Sequence, residues 1–221
     1  MNVNIKAIIF DYDGLLADTE GVFDLAIKEM LGSPFPAHLR HQMLGRKPYE
    51  SALIFSNYAS TIGKVITPEQ YLKNRQPILD RLFQNVSLMP GAANLVEHFR
   101  INNIPQAIAT SSSSNDFIIK TGNHPHIRES MQIIITGDQI KNGKPDPEIF
   151  LKASAELKIN PENCLVFEDS FSGIESAKNA GMSCVGVANL KYLDKEILSQ
   201  ADQVITSLKD FEPTNWHLPS Y

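Results

Sequence analysis

The sequence holds only two cysteines, Cys164 and Cys184, in 221 residues. Two thiols at that separation make neither a disulfide framework nor a zinc site. Both lie inside apolar runs, which suits buried small hydrophobes. No apolar stretch approaches the ~20 residues needed to cross a bilayer. The first apolar run begins at Ile5, stops at Asp11 and lacks a cleavage site of small residues, so a signal peptide is not expected. Dense runs of Lys and Arg are missing, and the net charge of -5 argues against nucleic acid as a partner. No Gly-x-Gly-x-x-Gly follows the first apolar run, which disfavours a dinucleotide dehydrogenase. These absences leave an ordinary globular composition, 43% hydrophobic and 20% charged. The expectation is a cytoplasmic monomer with no membrane or nucleic-acid partner.

What is present is a series of short apolar runs: Ile5–Phe10, Pro105–Thr110, Ile133–Ile135, Leu165–Phe167, Cys184–Val187 and a weaker Gln203–Thr206. Runs this short and continuous suit strands buried on both faces of a parallel sheet. Helical patterns lie between them, at Ala92–Arg100, Asn115–Thr121, Pro147–Leu157 and Ile174–Ala180, the last stopped by Gly181. Strand–helix alternation predicts an α/β fold with an open, Rossmann-like parallel sheet. The alternation fails from about Thr19 to Gln84. There Leu25, Ala26, Met30 and Leu31, and later Tyr71, Leu72, Ile78, Leu79, Leu82 and Phe83, recur at helical spacing. This predicts an inserted helical domain over 16–86, with the α/β core formed by 1–15 and 87–221.

In an open parallel sheet, ligands bind beyond the carboxyl ends of the strands. The first run ends in Asp11-Tyr12-Asp13-Gly14, the second in Thr110-Ser111-Ser112 and the fourth in Glu168-Asp169-Ser170. Gly143-Lys144-Pro145-Asp146-Pro147 follows the third, with Asp146 and Pro147 placed as a helix start. Each element has a plain alternative. An EF-hand loop from Asp11 would need an oxygen ligand, Gly and Glu where Leu15, Leu16 and Val22 stand, so that reading fails. The serine run could be a linker. Glu168 and Asp169 could cap a helix with Ser170, and a lone lysine is usually solvated. Together, at successive strand ends, they suit phosphoryl transfer. Carboxylates of Asp11, Asp13, Glu168 and Asp169 suit a hard cation, Mg²⁺. Asp11 can attack phosphorus, Lys144 and Thr110 can neutralise and bond the phosphate oxygens, and Asp13 can act as acid and base. His124 and His126, around Pro125, read as loop residues without a third ligand at metal spacing.

The four blocks together resemble the haloacid dehalogenase superfamily of phosphatases, over nearly the whole chain. Asp11-Tyr12-Asp13-Gly14-Leu15-Leu16-Ala17-Asp18-Thr19 is similar to its first motif, and Asp13 marks the phosphatase branch. Ile108 to Ser112, Gly143 to Pro147 and Phe167 to Ser170 are similar to the second, third and fourth. The resemblance implies an aspartyl-phosphate on Asp11, Asp13 as acid/base, Asp169 as metal ligand with Glu168 nearby, and Ser111 beside the substrate phosphate. It implies a helical cap whose substrate loop is Leu44-Gly45-Arg46-Lys47, contacting the substrate through Gly45, Arg46 and Lys47. The substrate is then a small phosphorylated metabolite. Within the branch, Leu88-Met89-Pro90-Gly91, Ala109–Ser112, Gly143–Phe150 and Cys164–Asp169 look most like pseudouridine-5′-phosphatases, with polyol- and hexose-phosphate phosphatases close behind.

Two alternatives stand beside the hydrolase. One is a phosphosugar mutase on the same scaffold; the β-phosphoglucomutases carry a His early in the cap, and an ungapped count from Asp-x-Asp-Gly puts that position on Phe23. The other is a non-catalytic binding protein that retains the fold. It is disfavoured because every catalytic residue type is present.

Overall fold

The computed structural model describes residues 4–43, 48–189 and 199–221. The expected substrate loop, Gly45, Arg46 and Lys47 included, lies outside the described residues. The chain divides into two compact units, Met1–Asp18 with Ser87–Tyr221, and Thr19–Val86.

The first unit is built on β1 (Ala7–Phe10), β2 (Gln106–Ala109), β3 (Ile133–Ile135), β4 (Cys164–Glu168), β5 (Ser183–Val187) and β6 (Gln203–Ile205). The strands form one sheet in the order β3-β2-β1-β4-β5-β6, and every pair is parallel. This is the α/β fold expected from the short apolar runs, which are buried because helices cover both faces. Ile9, Ala107 and Val166 belong to a core cluster with Ile149, Phe150 and Ala177. Their neighbours Phe10 and Phe167 stack at 5.2 Å within a second group that includes Phe99 and Phe211. Side chains alternate between faces along a strand, so successive residues feed two cores. Cys164 and Cys184 are buried free thiols in the first cluster. Burial pushes the Cys164 thiol up to about 11.

The second unit contains α1 (Thr19–Leu31), α2 (Ala37–Met43), α3 (Pro48–Thr61) and α4 (Pro68–Phe83). Its core joins Ile27, Leu31, Met43, Ala52, Phe55, Ala59 and Tyr71, with Phe55 stacked on Tyr71 at 4.1 Å. A capping box starts α4: Thr67 Oγ1 accepts from Gln70 N at 3.2 Å, and Gln70 Oε1 accepts from Thr67 N at 2.9 Å. Arg40 of α2 is buried and paired with Glu20 and Asp24 of α1.

Back in the first unit, α5 (Ala92–Ile101) and α6 (Ser114–Lys120) flank β2, and α7 (Pro125–Glu129) precedes β3. Next come α8 (Glu148–Leu157) before β4 and α9 (Phe171–Asn179) before β5. Leu16 and Ala17 stay with this unit: Leu16 O accepts from Met89 N, and Ala17 bridges Leu88. Two local expectations change. His126 lies in a short helix, not a loop, because Pro125 is preorganised for the first helical position. Pro147 precedes the helix it was expected to open, while Asp146 Oδ1 still accepts from Glu148 N at 2.9 Å. Among the described residues, no helix is long and apolar enough to cross a membrane.

Candidate active site

Register brings the site together. Phe10, the last residue of β1, pairs with Ile108 of β2 on one side and Phe167 of β4 on the other. The residues that follow these partners therefore emerge side by side at one sheet edge. Asp11 N donates to Phe167 O at 3.0 Å, and Thr110 N donates to Ile135 O at 3.0 Å. The edge sits where strand order reverses about β1, the place at which open α/β sheets bind ligands.

Lys144 reaches this edge from the loop before α8. Its ammonium donates to Asp11 Oδ1 at 2.6 Å, Glu168 Oε1 at 2.7 Å and the Ala109 carbonyl at 3.2 Å. All three charged side chains are buried. Burial lowers the affinity of Lys144 for its proton, but the charges of Asp11 and Glu168 outweigh that, and it stays a cation well above the usual range. Burial is also the largest effect on Asp11, with the charges of Glu168 and Asp13 adding to it against Lys144. The carboxyl is pushed up to about 7. Asp11 Oδ2 makes no hydrogen bond among the described residues, so one oxygen is held and the other is uncommitted.

Asp13 faces a different set of donors. Lys120 Nζ donates to its Oδ1 at 2.5 Å, while Ser112 Oγ at 2.6 Å and Thr110 Oγ1 at 3.1 Å donate to its Oδ2. Burial works against the charge, yet Lys120 and these hydrogen bonds win and hold the carboxyl below the usual range. Ser112 and Lys120 were missed by the sequence reading of the site. Ser112 stood in the second block beside the residue chosen, Ser111, which is exposed and makes no hydrogen bond among the described residues. Lys120 belongs to no block. Its only signal was helical spacing, three residues after the buried Phe117.

Glu168, expected in or near the metal's ligand set, engages both of its oxygens with protein donors. Oε1 accepts from Lys144, and Oε2 accepts from Ser170 N at 2.8 Å and Ser170 Oγ at 2.9 Å. A Cβ on Gly173 would come within 1.7 Å of Oε1, so the first turn of α9 accepts this carboxylate only because that position is glycine. The Asp13 carboxylate is likewise engaged by three protein donors.

Asp169 lies against the turn after Asp13. A Cβ on Gly14 would stand 2.2 Å from Asp169 Oδ2, and Gly14 has φ 82°, the left-handed region that suits glycine. The turn after the first strand and the end of β4 thus close on each other through a missing side chain. Among the described residues, no three His, Cys, Asp or Glu side chains form a metal cage. Mg²⁺ does not need one: it is often held by one or two carboxylates, with water and substrate phosphate completing its shell. Asp11 and Asp169 supply hard oxygen donors of that kind. Burial is the main effect that pushes Asp11 upward, with Glu168 and Asp13 adding to it, and a cation beside it would favour the ionised form.

This constellation of strand-end groups has a counterpart among known proteins. The family profile of haloacid dehalogenase-like hydrolases matches residues 8–187. The chain belongs to that family. This hydrolase is 40% identical over 227 residues to (DL)-glycerol-3-phosphatase 2 of Arabidopsis thaliana, covering 99% of this chain and 93% of the relative. It is 34% identical over 221 residues to a Drosophila melanogaster protein named "Probable pseudouridine-5′-phosphatase", covering 96% and 94%. Among solved structures it is similar to a beta-phosphoglucomutase from Clostridium difficile, with a TM-score of 0.71 and 26% identity over 96% of each chain. The family and these relatives make it an enzyme, a phosphatase that acts on a small phosphorylated metabolite.

Proposed function

We propose that this hydrolase is a Mg²⁺-dependent phosphomonoesterase in which Asp11 Oδ2 attacks phosphorus. The observation that carries the reading is the division of labour between two neighbouring aspartates. Asp11 has one oxygen anchored by Lys144 and one uncommitted, whereas Asp13 is bonded through both oxygens. The first is built as a nucleophile and the second as a proton carrier. The Asp13 carboxylate, ionised in the free chain, takes up a proton when the anionic ester enters beside it; as the Asp11–phosphorus bond forms and the ester P–O bond breaks, it gives that proton to the leaving alcohol oxygen. Water then attacks the acyl phosphate and loses a proton to Asp13, releasing inorganic phosphate and regenerating Asp11. Lys144, fixed by two carboxylates and a carbonyl, lies where it can meet charge on the non-bridging oxygens. Mg²⁺ held by Asp11 and Asp169 would neutralise phosphate charge. Arg46 and Lys47 of the cap are proposed to contact the remainder of the substrate.

For the substrate we favour a polyol phosphate such as glycerol 3-phosphate, on the 40% identity to the plant phosphatase. A nucleotide-like monoester such as pseudouridine 5′-phosphate is the second choice. The mutase alternative requires a group that passes protons to and from a sugar while water is kept out. At the corresponding position Phe23 offers only a ring, packed edge-on to Phe83 at 5.8 Å with the Arg75 guanidinium 5.5 Å from its centroid.

The test is phosphate release from a panel containing glycerol 3-phosphate, pseudouridine 5′-phosphate and hexose phosphates, each with Mg²⁺ and with chelator. Glycerol 3-phosphate is expected to turn over fastest, and only with metal. Full activity in chelator would remove Mg²⁺ from the reaction. The deciding arm for the alternative uses β-glucose 1-phosphate with a trace of the 1,6-bisphosphate. Glucose 6-phosphate appearing faster than free phosphate would establish the mutase instead.

A further inference from the structure

Helix α6 reads Ser114-Asn115-Asp116-Phe117-Ile118-Ile119-Lys120, and its two buried residues are Phe117 and Lys120. Phe117 has an evident partner, the ring of Tyr12, met edge-on at 5.1 Å. A lysine in the same buried row is costly unless its charge is matched. Only 8% of its side chain is exposed, and the carboxylate it reaches belongs to Asp13.

The network around that pair has a direction at every step. Lys120 Nζ donates to Asp13 Oδ1 at 2.5 Å and to Ser112 Oγ at 2.7 Å. Ser112, its lone pair engaged by the ammonium, spends its one hydroxyl proton on Asp13 Oδ2 at 2.6 Å. Thr110 Oγ1 accepts from Ser112 N at 3.1 Å and donates to the same Oδ2 at 3.1 Å. The helix is anchored back to the same turn, because the buried Tyr12 hydroxyl donates to the Lys120 carbonyl at 3.0 Å. Residues 12 and 13 thus hold residue 120 by its backbone and its side chain at once. A lysine serving only to cover the core would need neither constraint.

We propose that Lys120 is a positioning residue for the acid/base carboxylate: with Ser112 and Thr110 it fixes the plane of Asp13, so that the proton delivered to the leaving oxygen, and later taken from water, travels along one defined line. The inference rests on the proposed hydrolase chemistry for its kinetic consequence, and on geometry alone for the pairing. In this role Lys120 acts on the reaction through Asp13, the carboxylate its ammonium holds.

Two double-mutant cycles test this, one thermal and one kinetic, each with Lys120→Met, Asp13→Asn and the pair. In the thermal cycle, Asp13→Asn strands the buried ammonium and lowers Tm by several degrees. Adding Lys120→Met to that variant is expected to recover the loss. Additive Tm changes would show the pair uncoupled and overturn the inference, whatever the chain's activity. In the kinetic cycle, with glycerol 3-phosphate or p-nitrophenyl phosphate and Mg²⁺, Lys120→Met is expected to lower kcat by about 10- to 100-fold, within the range of general acid–base catalysis. KM stays within about threefold if ground-state binding is untouched. Lys120→Arg recovers part of kcat, and Lys120→Met costs nothing further in the Asp13→Asn background. An equal loss in both backgrounds would place the effect of Lys120 elsewhere and overturn the positioning role. No phosphate release by the unaltered chain would sink the hydrolase reading instead, and the thermal cycle would still decide the pairing.

Discussion

Each unit of the molecule buries a basic side chain between two acids, and the two triads are built differently. In the core, Lys144 lies between Asp11 and Glu168, which come from the ends of two strands far apart in sequence. In the helical unit, Arg40 lies between Glu20 and Asp24, one turn apart on α1. The core acids are 8% and 1% exposed, whereas those of the helical unit are 27% and 29% exposed. Water can therefore share the charge around Arg40 and cannot do so around Lys144. Arg40 clamps two helices. The core triad is instead shut away from water, and its burial pushes the Asp11 carboxyl up to about 7. Both triads set two acids against one base, and only the core one keeps that excess away from water.

The sharpest way to break the comparison is Asp11→Asn. The change keeps volume and removes one charge from the buried cluster. A nucleophile's loss costs on the order of 10⁴–10⁶ in kcat, while Tm should hold or rise. Retained turnover in a folded variant, measured by phosphate release, would show that the core triad is as purely structural as that of Arg40.

Next in size is the contrast between Lys144→Met and Arg40→Met. Removing Lys144 leaves two buried carboxylates uncompensated, a loss of about 3–5 kcal/mol for breaking a buried pair. Removing Arg40 leaves two acids that hydrate readily, so the discounted cost is about 1–2 kcal/mol. Chemical denaturation of both variants measures the difference. Equal losses would mean that exposure of the acids does not separate the two triads.

The smallest expected effect is a metal-dependent shift with pH. Folding raises the pKa of Asp11 from its ordinary 3.8 to about 7. The cost of burying its ionised form is therefore absent below about 3.8 and complete above about 7. A bound cation favours that ionised form. The rise in Tm on adding Mg²⁺ should be a few degrees near pH 8 and smaller near pH 5.5. A rise independent of pH would detach metal binding from Asp11.

Much of the core was legible because its signals are local. Short apolar runs end in polar or glycine-containing turns, and the chemistry of a parallel sheet collects at such ends. Asp11, Asp13, Thr110, Lys144 and Asp169 could be named from that rule without any knowledge of strand order. The helical unit was less legible. Its presence showed as a gap in the alternation, but α2 has seven residues and α3 exposes Tyr49 and Leu53, so neither carries a clear apolar stripe.

The sequence alone determined the kind of chemistry, because acids, hydroxyls and a lysine following buried strands can do few other things together. Tertiary structure decided how those groups are allotted. Which strands flank β1 is settled by pairing between residues about a hundred or more positions apart, and that pairing sets Asp11 level with Glu168 and with Ala109, the residue before Thr110. Glu168 was allotted to Lys144 and Ser170, which donate to its two oxygens. Lys120 became part of the site because a helix face, and no motif, aims it at Asp13. A charge finds its partner through space, and the spacing of residues along a chain does not record the distances between elements once they have packed.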